Sequence, residues 1–123
     1  MKKTIIKLFI FVLMQLSIDG VVAQDVLDGR IQQGPNPFKL DQGTTLIYSL
    51  KRPASVHLLI YNQFGHRVLS EHYSPGQEGG KVYKNYVNIS RRNFSGLALP
   101  KGVYFYVVAS NGRVLGKGKM AIV

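Results

Sequence analysis

The chain has 123 residues, with 16 lysines and arginines against six acids and neither cysteine nor tryptophan. A formal charge of +10 together with 46% hydrophobic residues places it among folded basic proteins rather than disordered ones. The lack of cysteine excludes a disulfide framework, a thiolate metal site and a cysteine-linked lipid anchor.

In chain order, Lys2, Lys3 and Lys7 form a basic head on the apolar run Ile5–Leu16, and Val21-Val22-Ala23 supplies small residues for cleavage. This is the layout of a secretory signal peptide, residues 1–23, and the run is shorter than the roughly 20 apolar residues a transmembrane helix needs. Cleavage after Ala23 leaves 100 residues beginning at Gln24, with 13 basic and five acidic side chains and a net charge of +8. Such a chain is exported through the inner membrane and reaches the periplasm, the outer membrane or the cell surface. The cations fall in scattered places (Lys51-Arg52, Arg91-Arg92, Lys117 and Lys119), which suits soluble strand edges better than one binding patch. Nothing resembles a recognition helix or an aromatic RNA-binding motif, so nucleic acid is not expected as a partner.

Gln24–Gly34 is polar and aperiodic and reads as a flexible leader. Pro35-Asn36-Pro37 lacks two backbone donors and is excluded from a central strand; Phe38 behind it is expected to plug one end of the core. Thr44–Leu50 alternates with Leu46, Tyr48 and Leu50 on one face, and Ser55–Asn62 with Val56, Leu58 and Ile60 inward and His57, Leu59 and Tyr61 outward. Arg67–Tyr73 returns as a hairpin partner, and Val82–Ile89 follows a loop built on Pro75, Gly76, Gly79 and Gly80. Ser90–Gly102 is a longer connection in which Leu97, Leu99 and Pro100 tuck against the body. Val103–Ala109 and Val114–Val123 close the chain as a hairpin around Asn111-Gly112, the strongest short signal for a primed two-residue turn. Six or seven short strands with turn signals between them predict an all-β fold, a sandwich of antiparallel sheets.

Several of these segments form an ordered set: Pro-Asn-Pro-Phe at 35–38, Thr-Thr-Leu-Ile-Tyr-Ser-Leu at 44–50, Val-His-Leu-Leu-Ile-Tyr-Asn at 56–62, the Gly79-Gly80 pair, Gly-Val-Tyr-Phe-Tyr at 102–106 and the closing Gly-Lys-Met-Ala-Ile-Val. Together they resemble the C-terminal sorting domain of type IX secretion substrates in Bacteroidota, itself similar to the immunoglobulin-like domain of flagellar hook-capping proteins. The resemblance implies an immunoglobulin-like antiparallel β-sandwich of about seven strands over residues 35–123, serving as a non-enzymatic address read by an outer-membrane translocon or its shuttle protein. It places partner recognition on Pro35, Asn36 and Pro37, on Gly102 and Tyr104, and on Lys117, Lys119, Met120, Ile122 and Val123. An open edge at Lys117–Val123 is expected to take a partner strand. Family members carry a cargo ahead of the domain, whereas here only Gln24–Gly34 stands between the expected cleavage point and Pro35. The alternative is therefore a small accessory subunit docked on an outer-membrane or other envelope complex.

The residues offer little for catalysis. The acids after Ala23 are Asp25, Asp28, Asp41, Glu71 and Glu78, dispersed over leader, turns and strand, and Glu71 and His72, being adjacent in a strand, point to opposite faces. His57, His66 and His72 show no metal-ligand spacing, so neither metal nor cofactor is expected. Gly116-Lys117-Gly118-Lys119 lacks the spacing and following Ser/Thr of a phosphate loop and reads as a strand relieved by glycines with its lysines toward water. Tyr83, Tyr104, Phe105 and Tyr106 read as packing residues rather than a sugar platform.

Overall fold

The computed structural model describes residues 26–95 and 99–123. The expected signal peptide, Gln24 and Leu97 lie outside them. Seven strands follow in order: β1 (Leu27–Gly34), β2 (Thr44–Leu50), β3 (Val56–Asn62), β4 (Arg67–Tyr73), β5 (Tyr83–Ile89), β6 (Gly102–Ser110) and β7 (Arg113–Ile122), with one turn of 3-10 helix at Arg91–Phe94. They make two sheets, β1-β2-β5 and β4-β3-β6-β7, in which every pairing is antiparallel. The all-β sandwich is as expected.

Period-two alternation builds the core. Leu46, Tyr48 and Leu50 of β2 face Val56, Leu58 and Ile60 of β3, and Tyr104, Tyr106 and Val108 of β6 complete the layer with Met120 and Ile122. Tyr61 points outward, as its register requires, yet is buried in a second small cluster with Val107, Val114 and Leu59 on the outer face of the larger sheet. The Asn111-Gly112 turn has φ of 52° and 75°, the two positive values a primed turn demands.

One expectation is corrected. Residues 27–34, read as a flexible leader, are a full edge strand, pairing Leu27 with Leu50 and Gln33 with Leu46. The register shifts between Asp28 and Gln32, where Gly29 takes φ of 83°, and this break erases the alternation that would have shown the strand. Its inward Ile31 is received by Gly116 of β7, where a Cβ would lie 2.4 Å from Ile31 Cδ1. Gly118, two residues on, lies beneath the ring of Tyr106. The Gly-Lys-Gly-Lys segment is thus the relieved strand it was read as, with Lys117 and Lys119 exposed.

The loop before β5 hangs on Asn85, which is fully buried. Its Oδ1 accepts from Gly79 N at 2.8 Å and Lys81 N at 3.2 Å, and its Nδ2 donates to Lys81 O and Tyr83 O, each at 3.0 Å. The Tyr48 hydroxyl donates to Gly79 O at 2.6 Å, and the Tyr73 ring occupies the space a side chain at Gly79 would need.

Burial pushes the Tyr48 hydroxyl well above its ordinary value, with Tyr73 and Glu78 adding to the rise. Tyr73 is pushed up to about 12, chiefly by burial and then by Glu71, and burial also raises Tyr106. In the unfolded chain tyrosine ionises near pH 10, so the folded state holds these protons longer. The stability this represents is complete below about pH 10 and is lost as pH rises toward and through the folded values. An alkaline titration is therefore expected to show tyrosinate absorbance lagging until near-ultraviolet dichroism collapses. Complete ionisation near pH 10 with the dichroism intact would contradict it.

Candidate functional site

The chain changes sheets at Pro35–Phe38. β1 belongs to the smaller sheet, but Phe38 forms a parallel bridge with Ile122 of the larger one. Phe38 N donates to Ala121 O at 2.9 Å and Val123 N donates to Phe38 O at 2.9 Å. One step earlier, Asn36 pairs through its side chain: Nδ2 donates to Lys119 O at 3.1 Å and Oδ1 accepts from Ala121 N at 3.0 Å. The Pro-Asn-Pro-Phe pattern suits this work. Prolines at 35 and 37 bring no N–H needing a partner, the amide between them imitates a strand's donor–acceptor pair, and the Phe38 ring is buried at the core's end as expected. Pro35 O is itself held by the Thr44 hydroxyl at 2.6 Å.

This clamp corrects the second expectation. The outer edge of β7 is not open from Lys119 to Val123, because Asn36 and Phe38 already take its outward backbone groups. Exposed edges invite uncontrolled pairing, and the chain closes this one with its own segment.

Most of the predicted recognition residues are brought together at one end of the sandwich, Asn36 and Lys119 touching across 83 positions, whereas Lys117 lies mid-strand opposite Val107. Gly102 pairs with Ile122 and Tyr104 with Met120, beside the clamp. Pro35, Asn36, Pro37, Lys117, Lys119 and Val123 are exposed, whereas Tyr104, Met120 and Ile122 are buried and support that surface from below. The Tyr104 hydroxyl donates to Pro100 O at 2.7 Å. A tyrosine near the start of the sixth strand bonding backbone a few residues upstream is the tyrosine corner of immunoglobulin-like sandwiches.

Two features of this end escaped sequence reading. The turn after β3 displays Phe64, 54% exposed, near Val103 at 38%; a lone phenylalanine in an otherwise polar Gln-Phe-Gly-His turn was the available signal. Asn62 fixes that turn, its Oδ1 accepting from Phe64 N at 2.9 Å and His66 N at 3.0 Å. Phe64, Val68, Leu99 and Val103 line a notch of about 100 Å³, and Ser70, Glu71, Asn88, Arg92 and Asn93 line a polar cleft of about 630 Å³. Elsewhere, His57 and His72 face each other across β3 and β4 with ring centroids 4.7 Å apart, and Ser55 Oγ lies 2.7 Å from His72 Nε2. Of the tyrosines read as packing residues, Tyr104 and Tyr106 are buried, but Tyr83 is exposed at φ of 69°.

Neither a protein-family model nor a curated protein matches the chain. Among solved structures, an immunoglobulin-like protein of Pseudomonas aeruginosa is similar with a TM-score of 0.53 at 16% identity, over 85% of this chain and 100% of that one. The alkylpurine DNA glycosylase AlkC of Pseudomonas fluorescens, bound to DNA containing an abasic site analogue, is similar with a TM-score of 0.50 at 17% identity, over 87% of this chain. This chain spans 32% of that glycosylase. At such identities the likeness is one of fold, and the fold is an immunoglobulin-like β-sandwich.

Proposed function

We propose that this protein is a non-enzymatic exported module of the sorting-domain type, recognised at the envelope by an outer-membrane translocon or shuttle. One observation carries the reading. The two segments that bear the resemblance at opposite ends of the domain, Pro35–Phe38 and Lys119–Val123, lock onto each other and leave Pro35, Asn36, Pro37, Lys119 and Val123 exposed together. A rigid surface of this kind suits recognition because little ordering entropy remains to be lost on binding.

Truncation from Lys119 is a poor test, since it removes the buried Met120 and Ile122 and endangers the fold. The informative variant is Lys117→Glu/Lys119→Glu, which reverses two exposed charges. Its thermal midpoint is expected to stay near that of the parent, while passage beyond the outer membrane in the native cell falls about tenfold, the equivalent of 1.4 kcal/mol of lost recognition. Unchanged export of the folded variant overturns the address reading. Retention of the parent chain in the outer-membrane fraction, at fixed stoichiometry with one large protein, replaces it with the accessory-subunit reading.

A further inference from the structure

The larger sheet has two edges, and the chain treats them differently. The far half of β7 is closed by Asn36 and Phe38. β4 pairs only with β3, and no hydrogen bond joins its outer backbone to any other described residue. A strand that leaves its outer N–H and C=O groups unpaired is a template for another strand.

The surroundings of that edge narrow what fits. The polar cleft runs along Leu69–Glu71 and faces Asn88–Ser95; the apolar notch meets Val68 and faces Leu99–Val103. The cleft borders the free edge of β4, and the notch lies at the head of the sheet beside the turn that leads into β4. Phe64 stands over the notch on a turn already pinned by Asn62, so an apolar anchor meets a preorganised wall. Charge is one-sided here. Arg92 lines the cleft, Lys101 lines the notch and Arg67 opens β4, while Glu71 of the cleft accepts from Asn93 and Asp41 is paired with Arg91 at 2.6 Å. Among the described residues Arg67, Arg92 and Lys101 make no ion pair.

We propose that this groove takes an extended acidic segment of an envelope protein, added as a further strand on β4. One apolar side chain packs against Phe64 beside the start of β4, and carboxylates on the same face of the added strand meet Arg92 across the cleft. The inference rests on the sorting-domain reading only for the compartment in which the partner is met. A second copy of this chain carries the same net positive charge, whereas an acidic segment complements Arg92 and the other cations around the edge. A bilayer offers no backbone to a strand edge, and one phenylalanine with one valine is little apolar surface for stable anchoring.

The probe is a short synthetic peptide with Asp two residues to either side of a central Leu and Thr at the positions between, so that Leu and the carboxylates share one strand face, added to the purified domain. Fluorescence anisotropy gives affinity and amide hydrogen exchange gives location. Binding is expected to slow exchange within Val68–His72, to weaken with added salt, and to drop about tenfold or more in Phe64→Ser and in Arg92→Glu. Lys in place of Asp, or N-methylation of alternate peptide amides, is expected to abolish it. Protection confined to β7, or binding that survives N-methylation, overturns strand addition on β4. Stronger binding to phosphatidylglycerol vesicles without β4 protection replaces the peptide with a lipid surface, and concentration-dependent β4 protection without peptide replaces it with a second copy. These readouts do not involve export, so the inference can fail while the charge-reversal export test succeeds, or the reverse.

Discussion

Asn85→Ala is expected to lower unfolding stability by about 3 kcal/mol through the loss of buried hydrogen bonds. The side chain makes four hydrogen bonds to backbone groups of residues 79, 81 and 83 while fully buried. Removing it leaves the buried Gly79 N–H without an acceptor, at a cost of about 1–3 kcal/mol by itself. Groups at Lys81 and Tyr83 are nearer solvent, so water recovers part of their loss. The loop also holds the acceptor for Tyr48, Gly79 O, so its loosening reaches the core. For a domain of about 100 residues this corresponds to a fall in thermal midpoint of roughly 15 °C. Asn85→Asp separates the parts: it keeps an acceptor for Gly79 N and Lys81 N but loses both donations. Chemical denaturation of the three proteins measures the result, and a loss under 1 kcal/mol for Asn85→Ala would remove Asn85 from its place as the organiser of the loop.

Gly118→Val sets two effects of opposite sign against each other. Strand propensity alone favours valine over glycine by up to about 1 kcal/mol. Sterically, a Cβ at 118 lies 2.4 Å from Tyr106 Cε2, Cζ and the hydroxyl oxygen, and that ring is buried between the sheets. Overpacking of this kind costs about 1–3 kcal/mol, so the net expected change is a loss of about 1 kcal/mol. A Tyr106→Leu background decides the cause: with the ring gone, the penalty of Gly118→Val should vanish or reverse, which a double-mutant cycle reads directly. Gly116→Ala should cost less, because it meets the flexible end of Ile31. A stabilised Gly118→Val in the parent background would show that the Tyr106 ring yields easily.

How much was legible depended on whether a segment's pattern was local. β2, β3, β6 and the Asn111-Gly112 turn declare themselves through alternation and a turn pair, both short-range properties. β1 did not, because Gly29 and the shifted register interrupt its period and its few apolar groups acquire meaning only against β7. The proposed recognition residues were half legible. The family resemblance named Pro35–Pro37 and the closing strand, but which of them face water and which support the core depends on distant partners. Asn85 carries no sequence signal that separates it from Asn88, which is exposed three residues later.

By itself the sequence determined the class of the fold: residue types that suit pleated, half-buried strands, spaced by turn formers, make a sandwich whichever strand pairs with which. Only the tertiary structure decided which edges are closed. Edge closure depends on contacts such as Asn36 with Lys119 and Phe38 with Ile122, more than 80 positions apart, and no periodicity reports a contact of that separation. That difference moved the expected docking edge from β7 to β4, because a strand whose backbone is already paired has nothing left to offer a partner.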